Sequence, residues 1–178
     1  MDEKTALERI RQGDKQLFAL FLRKYEKIVN SIIYSMVFDI ETTKDLTQDT
    51  FIKAYENLNS YNGNYEFKTW IAKIARNHTI DFIRKHKHTI SLDEIDNESI
   101  SDGKESAEDK NFIKKRVEHA LAKLNEEERS IIVLKYFEGF SNYEIALALE
   151  MPVNRINVKI FRAKEKMREF LNLEKSER

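Results

Sequence analysis

Residues 141–160 read SNYEIALALEMPVNRINVKI, and they contain the start signals of two helices separated by a short turn. Ser141 and Glu144 have the spacing of a capping box, with the serine at the N-cap and the glutamate three residues later. Pro152 suits the start of the second helix, because its fixed φ fits the first turn and its missing N–H costs nothing there. The two residues before this proline leave room only for a tight turn, so the pattern predicts a helix-turn-helix.

The apolar residues of this segment indicate which faces of its helices pack together. The expected contacts involve Ile145, Ala146, Leu149, Val153, Ile156 and Ile160. The outward positions are then Asn154, Arg155, Asn157, Val158, Lys159, Phe161 and Arg162. Such a helix can offer donors to base edges and phosphates in a major groove, and Val158 and Phe161 can meet thymine methyl groups. The alternative is an ordinary helical hairpin with a solvated basic face, but an outward valine and phenylalanine favour DNA binding.

The rest of the chain is also expected to be helical, since it has one proline, four glycines and apolar residues at helical spacing throughout. In the N-terminal half we predict a helix capped by Asp14 and a second helix that begins at a Thr42–Asp45 capping box and includes Leu46 to Leu58. A loop over residues 59–65 and a helix over residues 67–85 follow.

In the C-terminal half, one apolar stripe comprises Ile113, Val117, Ala120, Leu121 and Leu124. Asn125 and Glu128 predict the capped start of a helix with Ile131, Ile132, Leu134 and Phe137, and Gly139 is a suitable C-cap. The last helix, begun by Pro152, has Val153, Ile156, Ile160, Ala163, Met167 and Phe170 in register.

Charge is strongly segregated, although 31 basic and 31 acidic side chains give a net charge of zero. Residues 68–88 contain six Lys or Arg and one Asp, residues 92–109 contain eight Asp or Glu and one Lys, and residues 151–178 contain eight Lys or Arg and four Glu. An acidic stretch without helical periodicity reads as a flexible linker. We therefore predict an all-α protein with two small domains, residues 1–88 and 110–178, joined by an acidic linker over residues 89–109.

Several classes of function are disfavoured by composition. The chain has no cysteine, so it can form neither a disulfide nor a thiolate metal site. A charged N-terminus lacks a secretory signal, and no apolar run approaches the ~20 residues of a membrane span, so we expect a cytoplasmic protein without membrane insertion. We find no phosphate loop, nucleophile elbow or metal-ligand cluster, and therefore expect no catalytic residue, no metal and no cofactor.

Two further blocks of sequence point to a family. Residues 45–55 (DLTQDTFIKAY) and 67–85 (FKTWIAKIARNHTIDFIRK) resemble region two of the extracytoplasmic-function sigma factors of bacterial RNA polymerase. Residues 124–170, with YEIA at 143–146 and PV at 152–153, resemble region four of the same family. The resemblance implies a transcription initiation factor, not an enzyme, whose partners are core RNA polymerase, promoter DNA and an anti-sigma factor.

The resemblance also implies roles for matched positions. Asp45, Gln48, Asp49 and Phe51 would face the clamp helices of the largest polymerase subunit. The loop over residues 59–66 would capture a flipped base of the minus-ten element, with Ser60, Tyr61, Asn62, Gly63 and Asn64 as candidate contacts. Lys73, Arg76 and Asn77 would hold the non-template strand of that element. Arg155, Asn157, Val158, Lys159, Phe161 and Arg162 would contact the minus-thirty-five element.

The residues leave some alternatives open. Tyr61 and Tyr65 can stack on DNA or pack in the core, whereas Phe67, Trp70 and Phe82 lie on the apolar stripe and favour the core. Glu150 occupies a position where the family usually has glycine, and the reading helix departs from the family at Arg155, Asn157 and Val158, so its minus-thirty-five preference should differ. A stand-alone helix-turn-helix regulator is the competing hypothesis; it would bind duplex DNA specifically without polymerase and would leave the two N-terminal blocks unexplained.

Overall fold

The computed structural model describes residues 3–86 and 105–176, and the regular elements of these ranges are all helical. They are α1 (Glu3–Arg11), α2 (Lys15–Val37), α3 (Ile40–Glu56), α4 (Phe67–His86), α5 (Glu105–Ala122), α6 (Glu126–Ile132), α7 (Asn142–Leu149) and α8 (Val153–Ser176). A 3₁₀ turn at Leu58–Ser60 precedes α4, and a π turn at Val133–Phe137 follows α6. The predicted all-α fold is confirmed. Most of the predicted acidic linker lies outside the described residues, and α5 begins five residues before the predicted domain start at residue 110.

Three of the four predicted side-chain caps at helix starts are observed. The Asp14 side chain accepts a hydrogen bond from the Leu17 N–H at 3.1 Å, which caps α2. Capping boxes with both reciprocal hydrogen bonds begin α6, at Asn125 and Glu128, and α7, at Ser141 and Glu144. Each cap satisfies a donor of the first helical turn that would otherwise lack a partner.

The predicted capping box at Thr42 and Asp45 is wrong. Helix α2 ends at Val37, and the left-handed backbone of the next residue, Phe38 (φ 54°), turns the chain and leaves Asp39 as the N-cap of α3. The Asp39 carboxylate accepts a hydrogen bond from the Thr42 N–H at 2.7 Å. Thr42 is therefore already inside the helix that it was expected to begin.

In the first domain α2, α3 and α4 pack pairwise, and α1 lies against α2. Val29, Ile33 and Ile71 are fully buried where these helices meet. The buried face of α3 is partly polar, because Thr47 donates to the Asn30 side chain at 2.7 Å and Thr50 is completely buried.

In the second domain the core is formed by α6, α7 and α8, with α5 packed along α8. Two residues of the predicted apolar stripes, Ile113 and Phe137, are more than half exposed. The π turn widens the end of α6 and rotates Phe137 outward, whereas Phe140, whose N–H donates to the Leu134 carbonyl, is buried. Ile113 lies near the middle of α5, and Ala120 is the first residue described as buried on this helix.

The two domains contact each other directly in this structure. Helix α4 packs against α7, and α2 packs against α6, so that one apolar cluster contains residues of both domains. Buried Arg129 of α6 donates a hydrogen bond to the Met36 carbonyl of α2 at 3.2 Å. The arrangement places the basic helix α4 of the first domain beside the first helix of the helix-turn-helix.

Candidate nucleic-acid and polymerase interfaces

The candidate polymerase contact lies on the solvent-facing side of α3. Asp45, Gln48 and Asp49 are exposed there, as expected for residues that meet a partner. Phe51 is not available, since it is 8% exposed and belongs to the core, and its assignment to this surface is corrected. Ile52, 56% exposed, follows Asp45 by seven residues and Asp49 by three, and therefore lies on the same face.

The family resemblance implies Phe51 at this surface, but the phase of the helix places Ile52 there and Phe51 in the core. The buried face of α3 runs through Thr43, Thr47, Thr50 and Ala54, which are small or polar residues that mark a core face poorly. The seven-residue spacing from Asp45 to Ile52 was the available signal.

The candidate base-capture loop leaves α3 through the 3₁₀ turn. Ser60, Asn62, Gly63 and Asn64 are exposed, and Gly63 has a positive φ of 75° that favours glycine. The Asn64 N–H donates to the Asn62 side chain at 3.1 Å, which stabilises the turn.

Tyr61 does not extend into solvent as a stacking group. Its ring is buried against Phe67 and Trp70, with centroid distances of 5.4 and 5.5 Å, and its hydroxyl donates to the Tyr65 carbonyl at 2.6 Å. Phe67 and Trp70 are also buried, as predicted. Tyr61 is thus an anchor of the loop and not a candidate for direct contact with DNA.

A cleft of about 600 Å³ lies between this loop and α1. The loop side includes Asn62, Gly63 and Glu66, and the α1 side includes Lys4, Glu8 and Arg11. Sequence reasoning treated residues 1–13 only as a charged N-terminus and did not predict α1. The buried triplet Ala6, Leu7 and Ile10 was a weak signal of an amphipathic helix.

One of the candidate minus-ten residues of α4, Lys73, contacts the second domain. Lys73 Nζ forms an ion pair with Glu150 Oε1 at 2.6 Å. Arg76 is largely desolvated, and this burial lowers the pKa of its guanidinium. Arg76 Nη1 donates to the side chain of exposed Asn77 at 2.9 Å, whereas its buried Nε has no hydrogen-bond partner within the described part of the chain.

A second ion pair joins the same two helices. Lys68 of α4 donates to Glu144 of α7 at 2.7 Å, and Glu144 also completes the capping box with Ser141. Burial opposes ionisation of Glu144, but the hydrogen bonds from Lys68 and Ser141 outweigh it and lower the pKa of this carboxyl to about 2. The carboxylate therefore stays charged at neutral pH and holds α7 against α4.

The predicted reading surface of α8 is largely exposed. Arg155, Asn157 and Arg162 lie on it with Val158 (50% exposed) and Phe161 (66% exposed). The Asn157 side chain accepts a hydrogen bond from Asn142 Nδ2 at 2.6 Å, which links it to the preceding helix. Lys159 differs from its neighbours, because its side chain is half-buried and pairs with Glu127 of α6.

The turn between α7 and α8 contains a strained residue. Glu150 has φ 54° and ψ 44°, the left-handed conformation that glycine adopts without cost. The N–H of Met151 donates to the Ala146 carbonyl at 2.9 Å and closes the turn.

The described residues include neither a metal-ligand cluster nor a membrane-spanning helix. Within residues 3–86 and 105–176 no three His, Asp or Glu side chains are grouped to hold a metal ion. The helices of these ranges include none with the length and apolar character of a membrane span.

Comparison with known proteins assigns the family. Residues 21–89 match the sigma-70 region 2 model, and residues 114–167 match the sigma-70 region 4 model. The chain is 31% identical to the ECF RNA polymerase sigma factor SigW of Bacillus subtilis (strain 168), over 94% of this chain and 96% of SigW.

Two solved structures share the fold. CnrH, solved in complex with the cytosolic domain of CnrY, has a TM-score of 0.75 and 22% identity, covering 96% of this chain and 97% of CnrH. The sigma factor RpoE from Bartonella quintana, solved with the anti-sigma factor NepR, has a TM-score of 0.65 and 24% identity, covering 89% of this chain and 96% of RpoE. With both sigma regions matched in order and SigW matched along its length, the chain belongs to the extracytoplasmic-function sigma factors of bacterial RNA polymerase.

Proposed function

We propose that this sigma factor binds core RNA polymerase through its first domain and directs the enzyme to promoters with minus-ten and minus-thirty-five elements. The observation that carries the proposal is the surface of α8, where exposed Val158 and Phe161 lie among Asn157 and Arg162. Amide and guanidinium donors read base edges, and apolar side chains contact thymine methyl groups, so this surface suits a major groove. Lys159 forms an ion pair with Glu127 of α6, so we do not propose it as a direct contact to DNA.

The polymerase contact in this proposal is the exposed face of α3. An isoleucine surrounded by Asp45, Gln48 and Asp49 has the composition of a small interface, with an apolar centre and a polar rim. The clamp helices of the largest polymerase subunit are the proposed partner. Ile52 takes the role that the sequence assigned to Phe51.

The minus-ten contact is proposed for the loop at residues 59–66 and for α4. A melted strand is bound by positive side chains along its backbone and by pockets that hold an unstacked base. Lys73 and Arg76 provide charge, and Asn77 with the exposed amides of Asn62 and Asn64 provides hydrogen bonds.

In this structure α4 packs against α7, and we call this arrangement of the two domains closed. The minus-ten surface is partly covered in it. Lys73 is paired with Glu150, and Lys68 is paired with Glu144, so carboxylates of the second domain occupy cationic groups that DNA would use. We infer that the domains separate before minus-ten binding, and that the chain alone binds DNA weakly.

Control by an anti-sigma factor is part of the proposal, by extension from RpoE, which was solved with the anti-sigma factor NepR. The chain itself is assigned no catalytic residue, because the polymerase carries out the chemistry. Its site of action is the cytoplasm, where bacterial polymerase transcribes.

Co-purification with core polymerase tests the proposal. We expect the chain to bind core enzyme, and promoter DNA to be bound specifically only by the resulting complex. Specific binding of duplex DNA by the chain alone, without binding to core enzyme, would instead support a stand-alone helix-turn-helix regulator. The exposed α3 face disfavours that alternative, because a regulator that does not bind polymerase needs no such contact surface.

A further inference from the structure

Arg11 of α1 connects the N-terminal helix to the loop that we assign to base capture. Its Nη2 donates to the Leu58 carbonyl at 3.3 Å and also to the Tyr61 carbonyl. Leu58 is the first residue of the 3₁₀ turn from which the loop departs, and Tyr61 is the residue that follows the turn. One planar guanidinium thus fixes the start of the loop across 47 and 50 residues of sequence.

Helix α1 is itself firmly held, so it can act as a support. Ala6, Leu7 and Ile10 are buried against the first domain. Glu3 accepts hydrogen bonds from the Tyr25 hydroxyl at 2.8 Å and from Lys24 Nζ at 2.6 Å. Burial raises the pKa of the Tyr25 phenol, and the adjacent Glu3 raises it further, so the hydroxyl remains a donor at neutral pH.

The cleft between α1 and the loop has the size and lining of a binding site. Its volume of about 600 Å³ lies within the range of roughly 300–1,000 Å³ that is typical of small-ligand sites. Leu7 and Phe67 contribute apolar surface, and Glu8, Arg11 and Asn62 contribute polar groups. An unstacked base needs this combination of apolar contact and edge hydrogen bonds.

We propose that α1 forms the second wall of the pocket that receives the flipped minus-ten base, and that Arg11 is the positioning residue that keeps the loop in its capturing conformation. The proposal rests on the proposed function of the loop. Residues 3–13 precede the range 21–89 that matches the sigma-70 region 2 model, so this wall is a feature of the chain outside that match.

The test measures base discrimination by the polymerase complex, not overall affinity. Complexes of core enzyme with wild type, Arg11→Ala, Arg11→Lys or Arg9→Ala would be titrated with promoter fragments that differ only at the flipped position. Arg9→Ala is the matched control, because it removes from the same helix a guanidinium that pairs with Asp14. Thermal unfolding of each variant checks the fold.

We expect Arg11→Ala to reduce discrimination at the flipped position by about tenfold, within the range that a single well-read base contributes. Core binding and discrimination at the minus-thirty-five element should stay unchanged. Arg11→Lys keeps the charge, but its side chain is one bond shorter than the path to Nη2, which makes both hydrogen bonds. It should therefore fall between wild type and Arg11→Ala, and it carries the test if Arg11→Ala is unstable. Discrimination equal to that of Arg9→Ala in both Arg11 variants would overturn the proposal.

An Asn62→Ala, Asn64→Ala double variant separates this proposal from the assignment of the loop. If the double variant loses discrimination and the Arg11 variants do not, the loop captures the base without help from α1. If neither set loses discrimination, the loop assignment itself is wrong, and the proposal for α1 is rejected with it.

Discussion

At Glu150, the backbone conformation and the side chain have opposite effects on stability. A left-handed backbone with φ 54° costs a residue other than glycine about 1 kcal/mol. The ion pair with Lys73 compensates only in part, because the Glu150 side chain is 68% exposed and such pairs contribute at most about 1 kcal/mol.

Two substitutions at this position separate the effects. Glu150→Gly and Glu150→Gln both remove the ion pair, but only glycine adopts the left-handed conformation without strain. We expect the glycine variant to have a free energy of unfolding higher by about 1 kcal/mol than the glutamine variant, measured by urea denaturation. Equal stabilities would mean that the turn imposes no strain.

Ile52 provides a second prediction for a single residue. Ile52→Asp should weaken binding to core polymerase by about tenfold or more, as expected when the apolar centre of an interface becomes charged. Stability should change little, since the side chain is already exposed. Leu20→Asp on α2 is the control, because Leu20 is a similarly exposed apolar residue (59%) on another helix. Equal binding by the two variants would remove Ile52 from the interface.

At the scale of the helices, Arg129 of α6 links the C-terminal ends of α5 and α2. Its buried guanidinium donates to four backbone carbonyls, those of Leu121, Ala122, Leu124 and Met36. Leu121 and Ala122 end α5, Leu124 follows it, and Met36 lies in the last turn of α2, where carbonyls lack helical partners. Arg129 thus caps helices of both domains, and its burial lowers the pKa of its guanidinium.

We expect Arg129→Ala to lower the free energy of unfolding by about 3 kcal/mol, because it leaves several buried carbonyls without donors. Arg129→Lys should recover only part of this loss, since lysine lacks the planar fork. Arg168→Ala, at an exposed arginine paired with Glu165, should cost less than about 0.5 kcal/mol in the same denaturation experiment. A similar cost at both positions would contradict the capping role.

The elements that sequence predicted well are those specified by local signals. The caps at Asp14, Asn125 and Ser141 each depend on residues within three positions, and the structure confirms them. The start of α3 was missed because Asp39 becomes a cap only after Phe38 adopts a left-handed conformation. Helix α1 was missed because the triplet Ala6, Leu7 and Ile10 is a weak apolar signal, and the helix depends on packing against α2.

The candidate site shows the same difference between features set by local sequence and features set by tertiary packing. Exposure of Val158, Phe161 and Arg162 was predicted from helical phase, and the structure agrees. The burial of Tyr61, the pairing of Lys159 with Glu127 and the cover over Lys73 depend on tertiary contacts between distant residues. The spacing of residues along the sequence does not predict these contacts.

For the whole molecule, a net charge of zero conceals a contact between opposite charges of the two domains. Basic α4 lies beside acidic groups of the helix-turn-helix, with ion pairs from Lys68 to Glu144 and from Lys73 to Glu150. Segregated charge therefore supports the proposal that the minus-ten surface is covered in the free chain and binds DNA in the polymerase complex.

Removal of the Glu150 carboxylate should weaken the contact that covers the minus-ten surface. We expect Glu150→Gln to raise the affinity of the free chain for a single-stranded minus-ten oligonucleotide by about threefold, because an exposed ion pair contributes under 1 kcal/mol. Glu165→Gln makes the same change in net charge away from the domain contact and is the control. If both variants gain equally, net charge and not the contact controls binding.

Run-off transcription tests the central claim most directly. Core polymerase would be supplied with a library of genomic fragments, with and without this chain, and the transcript starts would be mapped. The account predicts new starts that depend on the chain and share a minus-ten and a minus-thirty-five element upstream. An identical set of starts with and without the chain would contradict its assignment as a promoter-directing sigma factor.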